Sequence, residues 1–97
     1  MRCEILLAPE AIEDLRRLAP DVRSGVREAI ELHLRHEPTK LSRSRIKRLR
    51  GLAKPQFRLR VGEVRVFYDV VGAQVEVLAI VEKSRAVDWL REQGEAE

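Results

Sequence analysis

The chain has 97 residues, of which 44% are hydrophobic and 36% are charged, and its formal net charge is +3. This length fits one domain, residues 1–97, with a single small core. The apolar content argues against disorder, and no run of 18 apolar residues is present to span a membrane. The first residues lack the apolar segment of a signal peptide, and Cys3 is the only cysteine, so no internal disulfide can form. We therefore expect a cytoplasmic protein.

The basic residues are unevenly distributed along the chain. Residues 38–62 carry nine basic and no acidic side chains. Residues 1–37 carry six basic and eight acidic side chains, and residues 63–97 carry four basic and eight acidic ones. A cluster of this kind attracts polyanions even when the net charge of the chain is small. Cys3, His33 and His36 are too few for a four-ligand zinc site, so we expect no metal and no other cofactor.

The N-terminal third predicts one strand followed by two helices. Apolar and polar residues alternate over Arg2–Ala8, which is typical of a strand. Pro9 suits the first turn of a helix, and apolar residues then recur at helical spacing as far as Pro20. A second helix is predicted to begin at Asp21 and to end before Pro38. Two helices joined by a short turn form a hairpin large enough to cover one face of a small sheet.

Residues 39–55 are predicted to form a basic loop with one short helical turn around Ile46 and Leu49. Its candidate nucleic-acid contacts, through phosphates rather than bases, are Arg45, Lys47, Arg48, Arg50 and Lys54. The alternative interpretation is an ordinary solvated loop.

Residues 56–81 predict an antiparallel meander of three strands, 56–61, 64–71 and 74–81. The signals are alternation, β-branched residues and a glycine at each two-residue turn. Continuing the register across the turns pairs Arg60 with Arg65, Arg58 with Phe67, and Phe67 with Leu78. The face that must be covered by the helical hairpin then holds Phe57, Leu59, Val61, Val64, Val66, Tyr68, Val70, Val75, Val77, Ala79 and Val81. The other face holds Gln56, Arg58, Arg60, Arg65, Phe67, Asp69, Glu76, Leu78 and Ile80.

The second face is the candidate functional surface. Three arginines without interleaved acids repel one another, which favours an anionic partner over a merely solvated face. Asp69 and Glu76, further along, are possible partners for one of them. Phe67 is a candidate for stacking on a base, or equally for burial against a protein partner.

The C-terminal segment predicts one more helix, over 85–93, with Ser84 as its N-cap and Trp89 and Leu90 facing inward. Residues 94–97 are predicted to be frayed. The element order is then β-α-α-β-β-β-α, an α+β fold with one layer of helices on one sheet.

These patterns together resemble the RelE/ParE toxin superfamily of bacterial and archaeal toxin–antitoxin systems. Leu49-Arg50-Gly51 is similar to the family's Leu-x-Gly before the meander. The run from Phe57 to Tyr68 is similar to its core, in which Tyr-Arg-Leu-Arg is followed by Gly-x-Tyr-Arg-Val-x-Tyr. Residues 77–85 look like the last strand and its basic end.

The resemblance implies a RelE-like fold, an acidic cognate antitoxin as partner, and one of three functions. The first is metal-independent cleavage of translated messenger RNA, which in this family usually occurs on the ribosome, with Arg58, Arg65 and Lys83 as catalytic residues and Arg60 and Arg85 among the RNA contacts. The second is inhibition of DNA gyrase without catalysis, and the third is antitoxin binding alone. The chain departs from the family pattern in two places: Gln56 stands where RelE-type enzymes often have lysine, and the last segment has no tyrosine or histidine. The second departure favours gyrase inhibition. Arginine stabilises phosphate charge well but is a poor proton carrier, so the proton donor stays unidentified.

Overall fold

The fold is α+β, as predicted, and the computed structural model describes residues 2–97. In chain order its elements are β1 (Glu4–Leu7), α1 (Pro9–Arg17), α2 (Pro20–Leu34), β2 (Ile46–Arg48), β3 (Leu52–Lys54), β4 (Phe57–Val61), β5 (Val64–Val71), β6 (Gln74–Glu82), α3 (Lys83–Gln93) and β7 (Glu95–Ala96). Within the described residues, no helix has the length and apolar character needed to cross a membrane.

The central sheet has five strands in the order β1-β6-β5-β4-β2. β1 runs parallel to β6, and the other pairs are antiparallel. Both predicted two-residue turns are present, with Gly62 at φ 57° and Gly72 at φ 59°, a region of backbone space that glycine enters without steric cost. The predicted pairs Arg60 with Arg65 and Arg58 with Phe67 are confirmed.

The predicted pair of Phe67 with Leu78 is wrong, because β6 contains a bulge at this point. Tyr68 lies opposite Val77, but Phe67 lies opposite Ala79, so Leu78 is the extra residue. One inserted residue sends every later side chain of the strand to the other face. Ile80 therefore belongs to the core, whereas Ala79 and Val81 lie on the second face, the reverse of the prediction.

The helical hairpin covers the apolar face of the sheet, as predicted. Ala11 and Leu15 of α1 and Val26, Ile30 and Leu34 of α2 join one core cluster with the meander. Each helix begins with a proline, whose fixed φ suits the first turn.

A single arginine of α2 ties the two helices of the hairpin together. The Arg23 guanidinium donates to the carbonyl oxygens of Leu15, Arg16 and Leu18 at 2.8–3.1 Å. These carbonyls lie at the C-terminal end of α1, where the Leu15 carbonyl also accepts from the Leu18 N–H at 3.3 Å, so Arg23 supplies donors that water would otherwise provide.

Tyr68 is a core residue, as predicted, and it also anchors the segment that follows α2. Its ring is fully buried and stacks on Phe57, with ring centroids 5.5 Å apart. Its hydroxyl donates to the Pro38 carbonyl oxygen at 2.6 Å. Burial raises the pKa of the Tyr68 phenol, so it remains a neutral donor.

The prediction of a loop with a helical turn over 39–55 is wrong. Ile46–Arg48 forms β2, an edge strand paired with β4, and Leu52–Lys54 forms β3. The short alternation around Ile46 is satisfied by pairing with β4, where the Ile46 side chain is buried opposite Leu59. Ladder hydrogen bonds and this burial outweigh the helix propensity of a basic segment too short to nucleate a helix.

The predictions for the C-terminal end are partly wrong. α3 begins at Lys83 rather than after Ser84, and Glu82 occupies the N-cap position. Residues 94–97 are not frayed, since Glu95–Ala96 pairs with β3 and the Glu97 N–H donates to the Gly51 carbonyl at 3.3 Å. The chain end is thus tied to the loop that follows β2.

Replacing Gly94 with alanine should destabilise the protein. A Cβ at this position would lie 2.5 Å from the Leu90 carbonyl oxygen and 3.3 Å from the Leu52 side chain, so α3 or β7 must shift. We expect a loss of about 1–3 kcal/mol in the free energy of unfolding, measured by urea denaturation. Gly25→Ala is the matched control: Gly25 lies inside α2 with nothing within 4 Å, and alanine there should stabilise by about 0.5–1 kcal/mol. Equal effects of the two substitutions would contradict this account of Gly94.

Candidate nucleic-acid interface

Four basic side chains lie in two adjacent rows on the second face of the sheet, and a fifth basic residue adjoins the second row at the β2 edge. In the first row Lys47 of β2 lies opposite Arg58 of β4. In the second, Arg60 lies opposite Arg65 of β5, and the Arg60 N–H donates to the Arg45 carbonyl at 2.8 Å, which puts Arg45 beside Arg60. We call Arg45, Lys47, Arg58, Arg60 and Arg65 the basic patch. The expected gathering of Arg58, Arg60 and Arg65 on one face is therefore found.

A row of buried apolar side chains lies between the two basic rows, on the opposite face of the sheet. Ile46, Leu59, Val66 and Ile80 are paired in sequence across β2, β4, β5 and β6. Each is at most 4% exposed. Because side chains alternate along a strand, burial of this row directs its neighbours in β2, β4 and β5 outward.

Arg58 is partly desolvated and has no firm hydrogen-bond partner. It is half-buried, its Nε is buried without a hydrogen-bond partner, and its Nη2 makes only a 3.4 Å contact to the Ser44 carbonyl. Burial lowers the pKa of the Arg58 guanidinium, and the charges of Arg65 and Arg60 lower it further. An anion beside Arg58 would reverse this electrostatic penalty.

Arg65 is held in place by the turn between β4 and β5. Its side chain is 6% exposed, and its Nη1 donates to the carbonyl oxygens of Gly62 at 2.8 Å and Val64 at 3.1 Å. Neither contact neutralises the charge. Within residues 2–97, no carboxylate lies within ion-pairing distance of any side chain of the basic patch.

The two acids predicted as possible partners for the arginines are engaged elsewhere. The Asp69 carboxylate accepts a hydrogen bond from the Gln56 N–H at 2.7 Å, and burial raises the pKa of Asp69. The Glu76 carboxylate lies 3.9 Å from the Lys54 ammonium. Acids and arginines therefore occupy opposite ends of this face.

Phe67 cannot stack on a base in this structure, contrary to one of the two interpretations of it. Its ring is 1% exposed and lies parallel to the Trp89 indole, with centroids 5.0 Å apart. α3 covers this part of the face, so Phe67 belongs to a second apolar contact between α3 and the sheet. The Trp89 Nε1 is buried there without a partner.

One of the remaining predicted site residues, the predicted catalytic Lys83, adjoins the patch, and Arg50 lies in a turn. Lys83 begins α3, and its N–H donates at 2.7 Å to the carbonyl of Glu63, in the turn beside Arg60 and Arg65. The Lys83 side chain is exposed. Arg50 is exposed in the turn after β2.

Three other predicted contacts lie outside the patch. The Arg48 guanidinium donates to the carbonyls of Leu49, Leu52 and Gln56 and lies 5.5 Å from the centre of the Phe57 ring, so it stabilises the turn between β2 and β3. Lys54 faces Glu76, as described above. Arg85 lines a groove between α1 and α3 that also contains Glu10, Asp14, Asp88 and Glu92.

The contribution of β2 to this site was missed at the level of sequence. Arg45 and Lys47 were predicted to lie in a basic loop with one helical turn, but pairing of β2 with β4 builds Lys47 into the sheet and places Arg45 at its edge. The available signal was the polar–apolar–polar order of Arg45, Ile46 and Lys47, which matches a strand and is too short to be decisive alone.

The patch is suited to binding and polarising an anion rather than to transferring a proton. Its groups are guanidinium and ammonium ions, which donate hydrogen bonds and remain charged at neutral pH. Among residues 2–97, no group of three or more His, Cys, Asp or Glu side chains is arranged to hold a metal ion.

Several solved structures share this fold. The RelE–RelB complex from Pyrococcus horikoshii matches with a TM-score of 0.71 and 20% identity over 88% of this chain and 99% of that chain. The RelBE2 toxin–antitoxin complex from Mycobacterium tuberculosis matches with a TM-score of 0.68 and 24% identity, over 84% and 99%. The RelB–RelE antitoxin–toxin complex from Methanococcus jannaschii matches with a TM-score of 0.66 and 21% identity, over 87% and 96%. A search of curated proteins found no match.

The sequence itself matches a protein family. Residues 5–87 match the model of the ParE toxin of the type II toxin–antitoxin system parDE. This span runs from β1 into α3 and includes the whole basic patch. The chain therefore belongs to the ParE toxin family, within the RelE/ParE superfamily of type II toxin–antitoxin toxins.

Proposed function

We propose that residues 1–97 form one toxin domain that binds and cleaves messenger RNA in the cytoplasm, without a metal, on the basic patch. The observation that carries the proposal is a group of five cations, four in two cross-strand rows and Arg45 beside them, with no ion-paired carboxylate among residues 2–97. Such a surface is complementary to closely spaced phosphates. The likeness in fold to RelE toxins supports the same reading.

Cleavage of RNA through its own 2′-hydroxyl requires stabilisation of negative charge on the phosphate. Arg58 and Arg65 would supply it. The Arg65 guanidinium is held by two backbone carbonyls before the substrate arrives, and burial of the Arg58 Nε restricts the movement of that side chain, so both need little reorganisation. Lys83 would add a mobile charge from the start of α3. Arg45, Lys47 and Arg60 would hold the flanking backbone by phosphate contacts.

Repulsion between like charges in the free protein favours the binding of an anion. Arg60 and Arg65 lie directly opposite each other, and like charges in this arrangement destabilise a sheet by about 0.2–1 kcal/mol. A bound phosphate would turn this repulsion into shared attraction. Phosphate binding would therefore relieve an electrostatic repulsion that is present in the free folded protein.

The proposed protein partner is a cognate antitoxin with an acidic segment. The similar structures are of RelE–RelB and RelBE complexes, and the basic patch offers the complementary charge. An amphipathic helix or an added strand is the form expected of such a segment. Covering the patch would block access of RNA by charge competition.

Inhibition of DNA gyrase is the second candidate function. Two observations favour it: the matching family is described as a ParE toxin, and the patch contains no side chain that titrates near neutral pH. General acid–base catalysis is most effective when such a group is present. On this reading the patch would bind gyrase, or the DNA that gyrase holds.

Replacing Arg58 with glutamine should reduce messenger cleavage by about 10²–10³-fold, as expected for the loss of one preorganised charge donor. The measurement is primer extension on translated messages after induced expression. Arg91→Gln is the matched control, because Arg91 is exposed on α3 and faces Asp88 at 3.5 Å, away from the patch. Intact messages at high levels of the wild-type protein, together with inhibited supercoiling in a gyrase assay, would replace this function with the second.

Arg60→Gln should have opposite effects on protein stability and on RNA affinity. It removes the like-charge pair with Arg65, so at low salt the free energy of unfolding should rise by up to about 0.5 kcal/mol, and the gain should vanish at high salt. Affinity for single-stranded RNA should fall at the same time. A stability loss at low salt would show that Arg60 has a structural partner and would count against an unneutralised patch.

A further inference from the structure

A small cavity adjoins the basic patch at the β2 edge of the sheet. It has a volume of about 220 Å³ and lies between the end of α2 and the start of β2. His33 of α2 and Lys40, Ser42 and Arg45 of the connecting segment contribute to its lining. Arg45 is therefore common to the cavity and to the second row of the patch.

The charges around this cavity are predominantly basic. Glu37 is the one carboxylate among the residues that line it, and its Oε2 lies 3.6 Å from the Lys40 Nζ. Both side chains are largely exposed, so this pair is weak and easily exchanged for another partner. His33 and Arg45 have no acidic partner within the described part of the chain.

The backbone at the cavity is held in place by Ser42. Its hydroxyl oxygen accepts hydrogen bonds from the N–H groups of Arg45 and Ile46, both at 3.0 Å, and its own N–H donates to the Ile46 carbonyl. The hydroxyl hydrogen of Ser42 is left to donate to a ligand. The position of Arg45 is thus set before any ligand binds, and a further donor lies beside it.

We propose that this cavity is a phosphate-binding subsite that extends the RNA path from the basic patch, around the β2 edge, to the end of α2. The path would run from Arg65 through Arg60 to Arg45 and end at His33 and Lys40. Single-stranded RNA fits this curved route, because a duplex is too stiff to turn around the edge of one strand. The proposal rests on the RNA function proposed above and adds binding residues, not catalytic ones.

Protonation of His33 couples this subsite to pH. Burial lowers the pKa of the His33 imidazole in the free protein, and the charge of Arg45 lowers it further. The charged groups around it are Arg45, Lys40 and Glu37. A bound phosphate would favour the imidazolium, so its pKa would be higher in the complex than in the free protein. Affinity should then increase as the pH falls through this range, because RNA binding takes up a proton.

The test uses a fluorescent oligonucleotide of roughly ten uridines and anisotropy titrations at about pH 5.5 and about pH 8. Wild-type affinity should increase on acidification by about two- to fivefold more than that of His33→Gln. His36→Gln is the matched control: His36 is exposed, three residues further on, and lines a different cavity, so this variant should follow the wild type.

A second variant gives a readout that does not depend on histidine titration. Lys40→Gln changes an exposed side chain. Log affinity should then fall less steeply with log salt, with the magnitude of the slope reduced by about 0.7, the value for one lost phosphate contact to a single strand. If His33→Gln and Lys40→Gln bind as the wild type does while Arg60→Gln binds weakly, the subsite is wrong and the patch stands. If Arg60→Gln also binds normally, the RNA function itself is overturned.

Discussion

The register of β2, β4 and β5 is the constraint on which the candidate site depends. A slip of one residue in either pairing would turn a set of cations toward the core. The register is held from the other side of the sheet by the buried row of Ile46, Leu59 and Val66. Full burial of such a side chain contributes about 1.5–3 kcal/mol, whereas facing like charges cost about 0.2–1 kcal/mol. Burial of the apolar row therefore determines the register, and the arginines are brought together on the second face as a consequence.

The second face of the sheet has one part that is covered by α3 and one part that is open. Toward β6 it is covered by α3, where Trp89 stacks on Phe67. Toward β2 it is open, and the basic patch lies there. The bulge at Leu78 supports the division, because it turns Ala79 and Val81 to the side on which α3 packs while Ile80 enters the core. A small side chain at position 79 lets a helix approach the sheet closely.

The arginines of this chain have two distinct environments. Arg23, Arg35 and Arg48 donate to backbone carbonyls and so stabilise helix ends and loops. Within residues 2–97 those of the patch make no ion pair; Arg65 also donates to two backbone carbonyls, whereas Arg58 makes only one long contact. Composition does not separate the two groups, since both occur in basic or mixed segments. Whether unsatisfied carbonyls lie within reach of the guanidinium group decides which arginines the backbone holds in place, and by this criterion Arg65 is held and Arg58 is not.

The sequence by itself determined the meander, its two glycine turns, the pairing of Arg58 with Phe67 and of Arg60 with Arg65, and the covering of one face by two helices. These features follow from periodicity and turn chemistry, which act between residues close in the chain. Only the tertiary structure decided that β2 pairs with β4, that β6 contains a bulge, that α3 packs on Phe67, and that β7 pairs with β3. Each of these depends on contacts between distant residues, as between Ile46 and Leu59 or Phe67 and Trp89, and local pattern carries no information about which distant partner is available.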